Sequence, residues 1–380
     1  MKKGRTLRVA LVHHWLVTWR GGERVFAEMA RLYPDAPVFT LFGSTEKMPP
    51  PLSDHRSQAS ILDRGRRFRE ALLPLYPLGV RSLDLRDYDL ILSSDASVVK
   101  GVRTRPDALH LCYCHAPPRY AWDFAREYVE AQIPLLLRPL AYAGLRWIRH
   151  YDARAAQGVD AFATNAEAVR ARIRRHYGRE ARVIAPPVDL ARFTPSAAAR
   201  REDFYLCVGQ LVPYKRVDMA VDACVASGRK LVVVGEGPML EELRGRARGG
   251  VHVIGAQPDE VLVDLYRRCR ALIFPGEEDF GIVPLEAMAC GAPVVALGAG
   301  GALETVVGVS AGNPPPPAAT GCFFHESNAA GLATALDHFE ATATFDPADS
   351  VARAQHFSPE SFRNSFLDWV ATETRRASAG

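Results

Sequence analysis

The chain has 380 residues, of which 48% are hydrophobic and 24% charged, values typical of a globular protein long enough for two domains. Its net charge of +4 hides an asymmetry, because residues 1–190 carry 30 Lys+Arg and 20 Asp+Glu whereas residues 191–380 carry 17 and 23. No known nucleic-acid-binding motif accompanies the basic half, so we expect an anionic membrane surface rather than nucleic acid as its partner. No apolar run approaches the roughly 20 residues of a membrane-spanning helix.

Seven scattered cysteines, without the spacing of a zinc site, indicate reduced thiols and a cytoplasmic protein. The charged start, MKKGRTLRVALVHHW, leads directly into a strand-like run and does not resemble a signal peptide. We therefore expect a cytoplasmic location, with peripheral association with the inner face of the cell membrane as a hypothesis. The oligomeric state stays open.

The first half alternates strand-like and helix-like segments, as α/β proteins do. A helix is predicted to open at Gly21-Gly22, and a basic helix to run from Val169 to Tyr177. The segment 183–193, VIAPPVDLARF, is a stiff connector near which the charge balance changes sign, and it predicts an N-terminal domain over residues 1–187. Strands are predicted at Leu7–His14, Leu90–Ser93, Leu109–Cys114 and Ala161–Thr164.

The second half restarts the alternation and predicts a second doubly wound domain over residues 188–356, followed by a closing helix in residues 357–380. Two such domains facing a cleft would bind a ligand at the carboxyl ends of their strands. The predicted elements are strands at Phe204–Gly209, Lys230–Gly235, Val251–Gly255, Ala271–Phe274 and Pro293–Leu297, and a helix at Val217–Ala226.

Residues 271–297, ALIFPGEEDFGIVPLEAMACGAPVVAL, contain the most informative pattern: a strand, an acidic glycine-containing loop, a helix and a second strand. Pro284 is predicted at the first helical position and Gly291 at the helix end. The loop contributes Glu278 and the helix Glu286, with seven residues between them. Both carboxylates can therefore face one ligand at the helix N-terminus.

That helix end is a candidate phosphate site, because its first amides lack internal partners and the helix dipole is positive there. Two flanking carboxylates would repel phosphate but would accept hydrogen bonds from sugar hydroxyls, so a sugar nucleotide suits both features. Two structural alternatives remain open at this point. Glu286 would close a capping box as the third helical residue, and Glu278 would be a solvated loop acid.

These segments resemble the retaining glycosyltransferases of the GT-B fold, specifically family 4. EEDFGIVPLEAMACGAPVVA is similar to that family's E-x7-E signature at Glu278 and Glu286. GGERV resembles its N-terminal glycine loop, GQLVPYKRVD its phosphate-contacting segment, and VVVGEGPMLEELR and VIGAQPDEVLVDLY its nucleotide pocket. HAPPRYAWD resembles the subgroup that acts in O-antigen and exopolysaccharide synthesis, often with GDP-mannose.

The resemblance implies two Rossmann-like domains facing a cleft, with a C-terminal helix that returns to the N-terminal domain. It implies that Glu278 accepts hydrogen bonds from the transferred sugar, that Glu286 holds the ribose diol and that Lys215 neutralises the diphosphate. His115 would bind the donor sugar or orient the acceptor, unless it is structural. The other donor-binding residues that it implies are Gly21, Gly22, Gly209, Gln210, Arg216, Phe280, Gly281, Ile282 and Val283.

One position departs from the family, which commonly has Arg where this chain has Gln210. Glutamine donates a hydrogen bond but brings no charge, so either Lys215 and Arg216 neutralise the diphosphate or turnover is weak. The segments that carry the resemblance contain no DxD triplet, which predicts a metal-independent site without a cofactor. His13 and His14, at the end of the first strand, are weaker candidates for the acceptor side.

Residues 61–86 and 133–150 mix Leu, Trp and Tyr with Arg, which is typical of a membrane interface or of helices packed on their own domain. The sequence therefore predicts transfer of a sugar, mannose from GDP-mannose, onto a lipid-linked glycan in bacterial cell-surface polysaccharide synthesis. The alternatives are a UDP-sugar donor, a phosphorylase or epimerase on the same scaffold, and a catalytically silent nucleotide-sugar-binding scaffold protein.

Overall fold

The computed structural model describes residues 7–310, 316–341 and 345–379. The chain forms two compact units, the first comprising Met1–Ala185 with Phe362–Gly380 and the second Pro186–Ser361. The first division therefore falls inside the proline-containing connector, between Ala185 and Pro186. No helix in the described residues is long and apolar enough to span a bilayer. The seven cysteines all lie in described segments, where they are buried and free.

The described part of the first unit contains one seven-stranded, fully parallel sheet. Its strands are β1 Val9–Leu16, β2 Val38–Gly43, β3 Ser57–Ala59, β4 Leu90–Asp95, β5 Leu109–Cys114, β6 Ala161–Thr164 and β7 Ala181–Val183. They lie in the order β3-β2-β1-β4-β5-β6-β7, so the winding reverses between β1 and β4. Strands β4 and β5 are buried along their whole length, as parallel strands covered on both faces are.

Helices cover both faces of this sheet. On one face, Phe26 and Met29 of the first helix are buried in an apolar cluster. On the other face, Leu145 and Ile148 belong to a separate apolar cluster. These two clusters exclude water from both sides of the strands, which is the main source of stability for such a sheet. The helices are α1 Gly21–Leu32, α2 Tyr76–Arg81, α3 Ala125–Gln132, α4 Arg138–Gln157 and α5 Glu167–Tyr177.

The second unit repeats the design with seven parallel strands in its described residues. The strands are β8 Tyr205–Val208, β9 Leu231–Val234, β10 Val251–Gly255, β11 Ala271–Phe274, β12 Val294–Leu297, β13 Gly308–Ser310 and β14 Gly321–Phe324. Their order is β10-β9-β8-β11-β12-β14-β13, with the reversal between β8 and β11. The helices are α6 Val217–Ser227, α7 Leu240–Arg246, α8 Asp259–Arg268, α9 Ile282–Ala289, α10 Ala302–Thr305, α11 Ala329–Ala341 and α12 Pro347–Gln355.

The last helix, α13 Pro359–Ala379, returns to the first unit, as the sequence predicts. Phe362, Phe366 and Trp369 are buried in the same apolar cluster as helix α1. Arg363 forms an ion pair with Glu28 of α1, with 2.5 Å between the nitrogen and oxygen atoms. The predicted α/β class with two doubly wound sheets is therefore confirmed.

A buried charge network lies behind β4 and β5 in the first unit. The Lys100 ammonium is 3.0 Å from the Asp95 carboxylate and 2.5 Å from that of Asp152, and all three side chains are inaccessible to solvent. Asp152 also accepts hydrogen bonds from Trp122 and Tyr177. Burial opposes the charge on Lys100, but the two carboxylates outweigh it and hold its pKa well above the usual value.

Removing the cation from this network should strongly destabilise the first unit. In Lys100→Met two buried carboxylates lose their counter-ion, and we expect a loss of about 3–5 kcal/mol. All five tryptophans belong to the first unit, so tryptophan fluorescence during urea unfolding reports on that unit. The exposed Lys47→Met is the matched control and should leave the urea midpoint unchanged. Equal midpoints for both variants would contradict the prediction.

Candidate functional site

The second unit brings two predicted catalytic residues together where its strand order reverses. Strand β8 leads into a segment that ends at Lys215, and β11 leads into the loop that contains Glu278. Lys215 Nζ lies 2.8 Å from Glu278 Oε1, and the two side chains are 15% and 20% exposed. Glu278 is therefore an ion-paired, largely buried group, which excludes the reading of a solvated loop acid.

Two glycines make this ion pair possible. At Gly209, where φ is +154°, a Cβ would lie 3.2 Å from Lys215 Nζ. At Gly276 a Cβ would lie 2.7 Å from the Cα of Lys215, too close for any real side chain. The lysine therefore packs against backbone on both sides, which requires glycine at these positions.

A second pair of glycines holds the other side of the Glu278 loop. The amide of Gly301 donates a hydrogen bond of 2.9 Å to the carbonyl oxygen of Glu278. A Cβ at Gly300 would lie 2.4 Å from that oxygen, and one at Gly301 would lie 2.2 Å from Phe280. The loop backbone is therefore fixed between two close backbone contacts. Gly300 and Gly301 were not predicted, although the sequence GAGG after β12 is a signal for them.

Helix α9 begins at Ile282, two residues earlier than predicted, so placing Pro284 at the first helical position was wrong. Gly281 precedes the helix with φ of +79°, a conformation that lets the chain enter the helix directly after the loop. Pro284 is then the third helical residue, where its missing amide hydrogen is harmless. The amides of Ile282 and Val283 lie in the first turn without a helical carbonyl partner.

The end of α9 agrees with the prediction that Gly291 stops the helix. Gly291 has φ of +81°, and its amide donates to the Met288 carbonyl while the amide of Ala292 donates to that of Ala287. This pair of bonds is a Schellman motif.

The ring of Phe280, in the loop before α9, is buried against Phe357, so only the Phe280 backbone is available to a ligand.

Glu286 is the fifth residue of α9, so the capping-box alternative is wrong. Its side chain is 7% exposed, and Oε2 accepts a hydrogen bond of 3.1 Å from the hydroxyl of Tyr266 on α8. Burial, followed by the Glu286 carboxylate, raises the pKa of Tyr266 well above its usual value, so the hydroxyl stays protonated as a donor. Tyr266 orients Glu286 and was not found from the sequence.

The cations near this loop differ in their surroundings. Burial would lower the pKa of Lys215, but the Glu278 carboxylate raises it above the ordinary value, so Lys215 stays charged. Arg216 forms an ion pair with Asp218 at 3.4 Å and donates a hydrogen bond to the carbonyl oxygen of Ser327. Gln210, which stands where the resembled family has Arg, is exposed. Lys215 is therefore the buried positive charge that lies beside Glu278.

The first unit places the predicted histidines at its own reversal point. His13 of β1 stands opposite Ser94 of β4 in the parallel pairing. Ser94 Oγ lies 3.0 Å from His13 Nδ1 and 2.8 Å from His115 Nε2, so one hydroxyl joins both rings. A Cβ at Gly22 would lie 3.9 Å from both rings, whereas one at Gly21 would meet nothing within 4 Å. Gly22, His13 and His115 therefore lie together, and Gly21 borders open space.

Both rings are neutral near pH 7. Burial, and then the neighbouring His14, lower the pKa of His115 to about 3. Burial, His14 and His115 also hold the pKa of His13 well below its usual value. His115 is therefore a neutral hydrogen-bonding group at neutral pH rather than a cation.

The other residues of HAPPRYAWD mostly support the first unit. Tyr120 hydrogen-bonds to Ser97 at 2.9 Å, and Trp122 donates to the buried Asp152. Asp123 pairs with His176 of α5 at 3.1 Å. His115 is therefore the member of this motif that joins the histidine cluster. No group of three or more His, Cys, Asp or Glu side chains with the geometry of a metal site occurs in the described residues.

Two family models match successive parts of the chain. Residues 19–192 match the model described as Glycosyltransferase Family 4, and residues 192–347 match the model described as Glycosyl transferases group 1. The GDP-mannose-dependent alpha-(1-6)-phosphatidylinositol monomannoside mannosyltransferase of Mycobacterium tuberculosis is 34% identical across 40% of this chain and 48% of its own length. A D-inositol 3-phosphate glycosyltransferase of Acidothermus cellulolyticus is 38% identical across 34% of this chain and 36% of its own length. The chain thus spans less than half the length of these curated relatives.

Solved structures resemble the chain along almost its whole length. HepE of Anabaena, crystallised with UDP-glucose, has a TM-score of 0.66 and 18% identity, covering 96% of this chain and 99% of its own. The sucrose-phosphate synthase of Thermosynechococcus elongatus also has a TM-score of 0.66 and 18% identity, and the match covers 97% of this chain and 100% of that structure's chain. The fold is therefore GT-B, and the chain carries glycosyltransferase family 4 and group 1 domains.

The close backbone contact at Gly276 can be tested directly. In Gly276→Ala the new Cβ would press on the backbone of Lys215, and we expect a loss of about 1–3 kcal/mol. Urea unfolding followed by far-UV circular dichroism measures it, because the second unit has no tryptophan. Gly245→Ala is the control, since a Cβ there meets nothing within 4 Å and alanine favours its helix. A Gly276→Ala protein as stable as that control would contradict the contact.

Proposed function

We propose that this chain, through its family 4 and group 1 glycosyltransferase domains, transfers a hexose from a nucleoside diphosphate sugar with retention of configuration and without a metal ion. The observation that carries the proposal is the buried pair of Lys215 and Glu278 beside the start of α9. Positive charge and free helix amides there suit a diphosphate, and the carboxylate suits sugar hydroxyls.

The reaction breaks the bond between the anomeric carbon and the diphosphate, so negative charge grows on the leaving oxygen. Lys215 and the amides of Ile282 and Val283 would stabilise that charge where a metal ion does so in other transferases. Glu278 accepts a bond from Lys215 through one oxygen, and its carboxylate retains capacity to accept from sugar hydroxyls. A front-face route passes the acceptor proton to the leaving phosphate, so no strong general base is required.

The donor that we propose is GDP-mannose, which the name of the mycobacterial relative supports. Glu286, oriented by Tyr266, would accept hydrogen bonds from the ribose diol. The UDP-glucose in the HepE structure supports the alternative of a UDP-sugar donor. A phosphorylase or epimerase on the same scaffold would use the same phosphate site.

A donor panel separates these alternatives. A ligand that binds only the native state raises Tm by mass action, so the true donor should give the largest shift among GDP-mannose, UDP-glucose, ADP-glucose and dTDP-glucose. Thermal denaturation of the full chain with each compound measures the shift. A largest shift with UDP-glucose would replace GDP-mannose as the donor, and no shift with any of them would overturn the nucleotide-sugar site.

Glu278→Gln tests the proposed chemistry. It keeps a hydrogen-bond acceptor but removes the charge, and we expect transfer to fall about 10²–10³-fold while the donor-induced rise in Tm persists. Release of the nucleoside diphosphate from the best donor measures turnover. The adjacent, exposed Glu277→Gln is the control and should stay near wild type. A Glu278→Gln enzyme with near-wild-type turnover would refute the role given to this carboxylate.

The uncharged Gln210 favours a second candidate, a nucleotide-sugar-binding scaffold protein without turnover. The same assays distinguish it, because a scaffold would bind the donor but release no diphosphate. Gln210→Arg supplies the charge that the resembled family has, and it should raise turnover if the missing charge limits the reaction.

We also propose that the acceptor is a lipid-linked glycan reached at an anionic membrane surface. A 3₁₀ turn at Leu135–Leu137 leads into α4, and Leu136 is 93% exposed. Helix α4 buries Leu145 and Ile148 against its own unit while Leu140 and Trp147 remain exposed. Part of the predicted stretch therefore packs on the domain, and another part leaves apolar side chains in solvent.

The other predicted stretch, residues 61–86, adjoins this surface. A Cβ at Gly144 of α4 would lie 4.0 Å from Pro74, so the turn at residues 73–75 packs against α4. Phe68 is exposed near this turn in the chain. No carboxylate of the described residues is within salt-bridge distance of the exposed Arg67 or Arg146. Exposed apolar groups with unpaired arginines suit the interface of an anionic bilayer.

Flotation with liposomes tests the membrane contact. The wild-type chain should float with phosphatidylglycerol-containing vesicles at low salt, and Leu136→Asp with Leu140→Asp should abolish flotation, because charge in place of exposed leucine opposes insertion. Leu303→Asp, at an exposed leucine of the second unit, is the control and should float normally. Absence of wild-type flotation at low salt would overturn the proposal.

A further inference from the structure

We infer that Ser94 and His13 fix the tautomer of His115, so that His115 presents its Nδ1–H to the ligand as a hydrogen-bond donor. Ser94 and His13 are positioning residues in this arrangement, and His115 is the group that contacts the ligand. The consequence for transfer rests on the proposed function, whereas the tautomer assignment does not.

Ser94 has a single hydroxyl proton to share between two histidine rings. Its Oγ lies 3.0 Å from His13 Nδ1 and 2.8 Å from His115 Nε2, and the residue is fully buried. A hydroxyl has one proton to donate, so it can donate to only one of these two nitrogens. The other nitrogen must donate its own N–H to Oγ, since otherwise two lone pairs would face each other. If both nitrogens donated to Oγ, the buried hydroxyl proton would have no acceptor, because Ser94 Oγ makes no other hydrogen bond within the described residues. One nitrogen therefore donates and the other accepts, and the two tautomers are coupled through one oxygen.

The burial of His13 selects one of the two coupled states. His13 is completely buried, and its Nε2 has no hydrogen-bond partner among the described residues. A proton on Nε2 would leave a buried N–H without an acceptor, which is rarer in proteins than an unfilled acceptor. The proton of His13 therefore belongs on Nδ1, where it is donated to Ser94.

The order of donors and acceptors continues from Ser94 to His115. Ser94 then donates its proton to His115 Nε2, and the proton of the neutral His115 ring resides on Nδ1. His115 is partly exposed, and Nδ1 makes no hydrogen bond within the described residues. The low pKa of both rings, caused first by burial, keeps each ring at a single proton near pH 7. The exposed nitrogen is thus a donor, suited to an oxygen of the sugar or the phosphate.

A proton on Nδ1 limits the chemistry that His115 can perform. A nitrogen that already holds a proton cannot accept one from the acceptor hydroxyl, so His115 does not act as a general base through Nδ1. The acceptor proton must leave by another route, which agrees with transfer to the departing phosphate. The start of α1 lies close to the same two rings, because a Cβ added at Gly22 would lie 3.9 Å from both.

Nitrogen NMR of the ligand-free full-length protein tests the tautomers. With ¹⁵N-labelled histidine, long-range ¹H–¹⁵N spectra distinguish a protonated ring nitrogen from an unprotonated one. His13→Asn and His115→Asn assign the two rings by loss of their signals. We expect Nδ1–H at both rings, and Nε2–H at either of them would overturn the inference whether or not the chain transfers sugar.

Serine variants test the positioning. Ser94→Ala should release His115 into a mixture of tautomers and lower kcat/KM about three- to tenfold, the effect of one neutral hydrogen bond, while Ser94→Thr keeps a hydroxyl and should restore both. Ser93 offers a matched control, because its Oγ bonds His110 Nε2 at 2.8 Å and lies away from His115 on the same strand. Ser93→Ala should leave the His115 tautomer and kcat/KM unchanged.

The tautomer spectra and the turnover assay can fail independently of each other. An unchanged His115 tautomer in Ser94→Ala would overturn the inference. If the expected tautomers appear but no donor is turned over, the proposed function fails and the hydrogen-bond assignment stands. If transfer occurs with His115 protonated on Nε2, the proposed function survives and the inference fails.

Discussion

Each sheet reverses its winding once, between β1 and β4 in the first unit and between β8 and β11 in the second. At such a point the connections from neighbouring strands leave to opposite faces, so the carboxyl edge of the sheet is left open to a ligand. In the first unit this edge holds His13 and Ser94, and in the second it holds Gly209 and the loop of Glu278. The chemistry proposed for the chain therefore depends on one topological feature that each unit contains.

The second constraint is close backbone packing around a charge. A largely buried lysine is costly unless a counter-ion and hydrogen bonds compensate it, and Glu278 supplies that compensation for Lys215. The pair fits only because Gly209 and Gly276 lack side chains, and Gly301 holds the Glu278 backbone from the other side. The charges are therefore held in place before a ligand arrives, and electrostatic stabilisation of a leaving group requires such preorganisation.

The sequence predicts most of the central strands of the two sheets but misses the fully buried β2, and of the four edge strands in the described residues it predicts β10. Strands β5, β6 and β11 lie where the apolar runs predict them, because both faces are covered and polar or glycine-rich loops bound each run. The edge strand β10 also lies where its apolar run predicts it, although His252 and Ile254 are exposed. The three-residue edge strands β3 and β7 contain Ser57, Gln58 and Arg182 and have no such signal. Partners distant in sequence, such as Ser94 for His13 and Tyr266 for Glu286, emerge only from the pairing of strands and helices. The start of α9 was misplaced because a glycine with positive φ, not the proline, begins that helix.

The second unit keeps a largely buried basic side chain charged, whereas the first unit keeps its buried histidines neutral. In the second, the Glu278 carboxylate raises the pKa of Lys215, so the cation persists in a largely buried site. In the first, burial lowers the pKa of His13 and His115, so the rings stay neutral and act through directed hydrogen bonds. Transfer of a sugar develops a full negative charge on the leaving phosphate, whereas the hydroxyls of donor and acceptor remain neutral until the proton moves. In the proposed reaction, a permanent cation suits the first requirement and neutral, oriented donors suit the second.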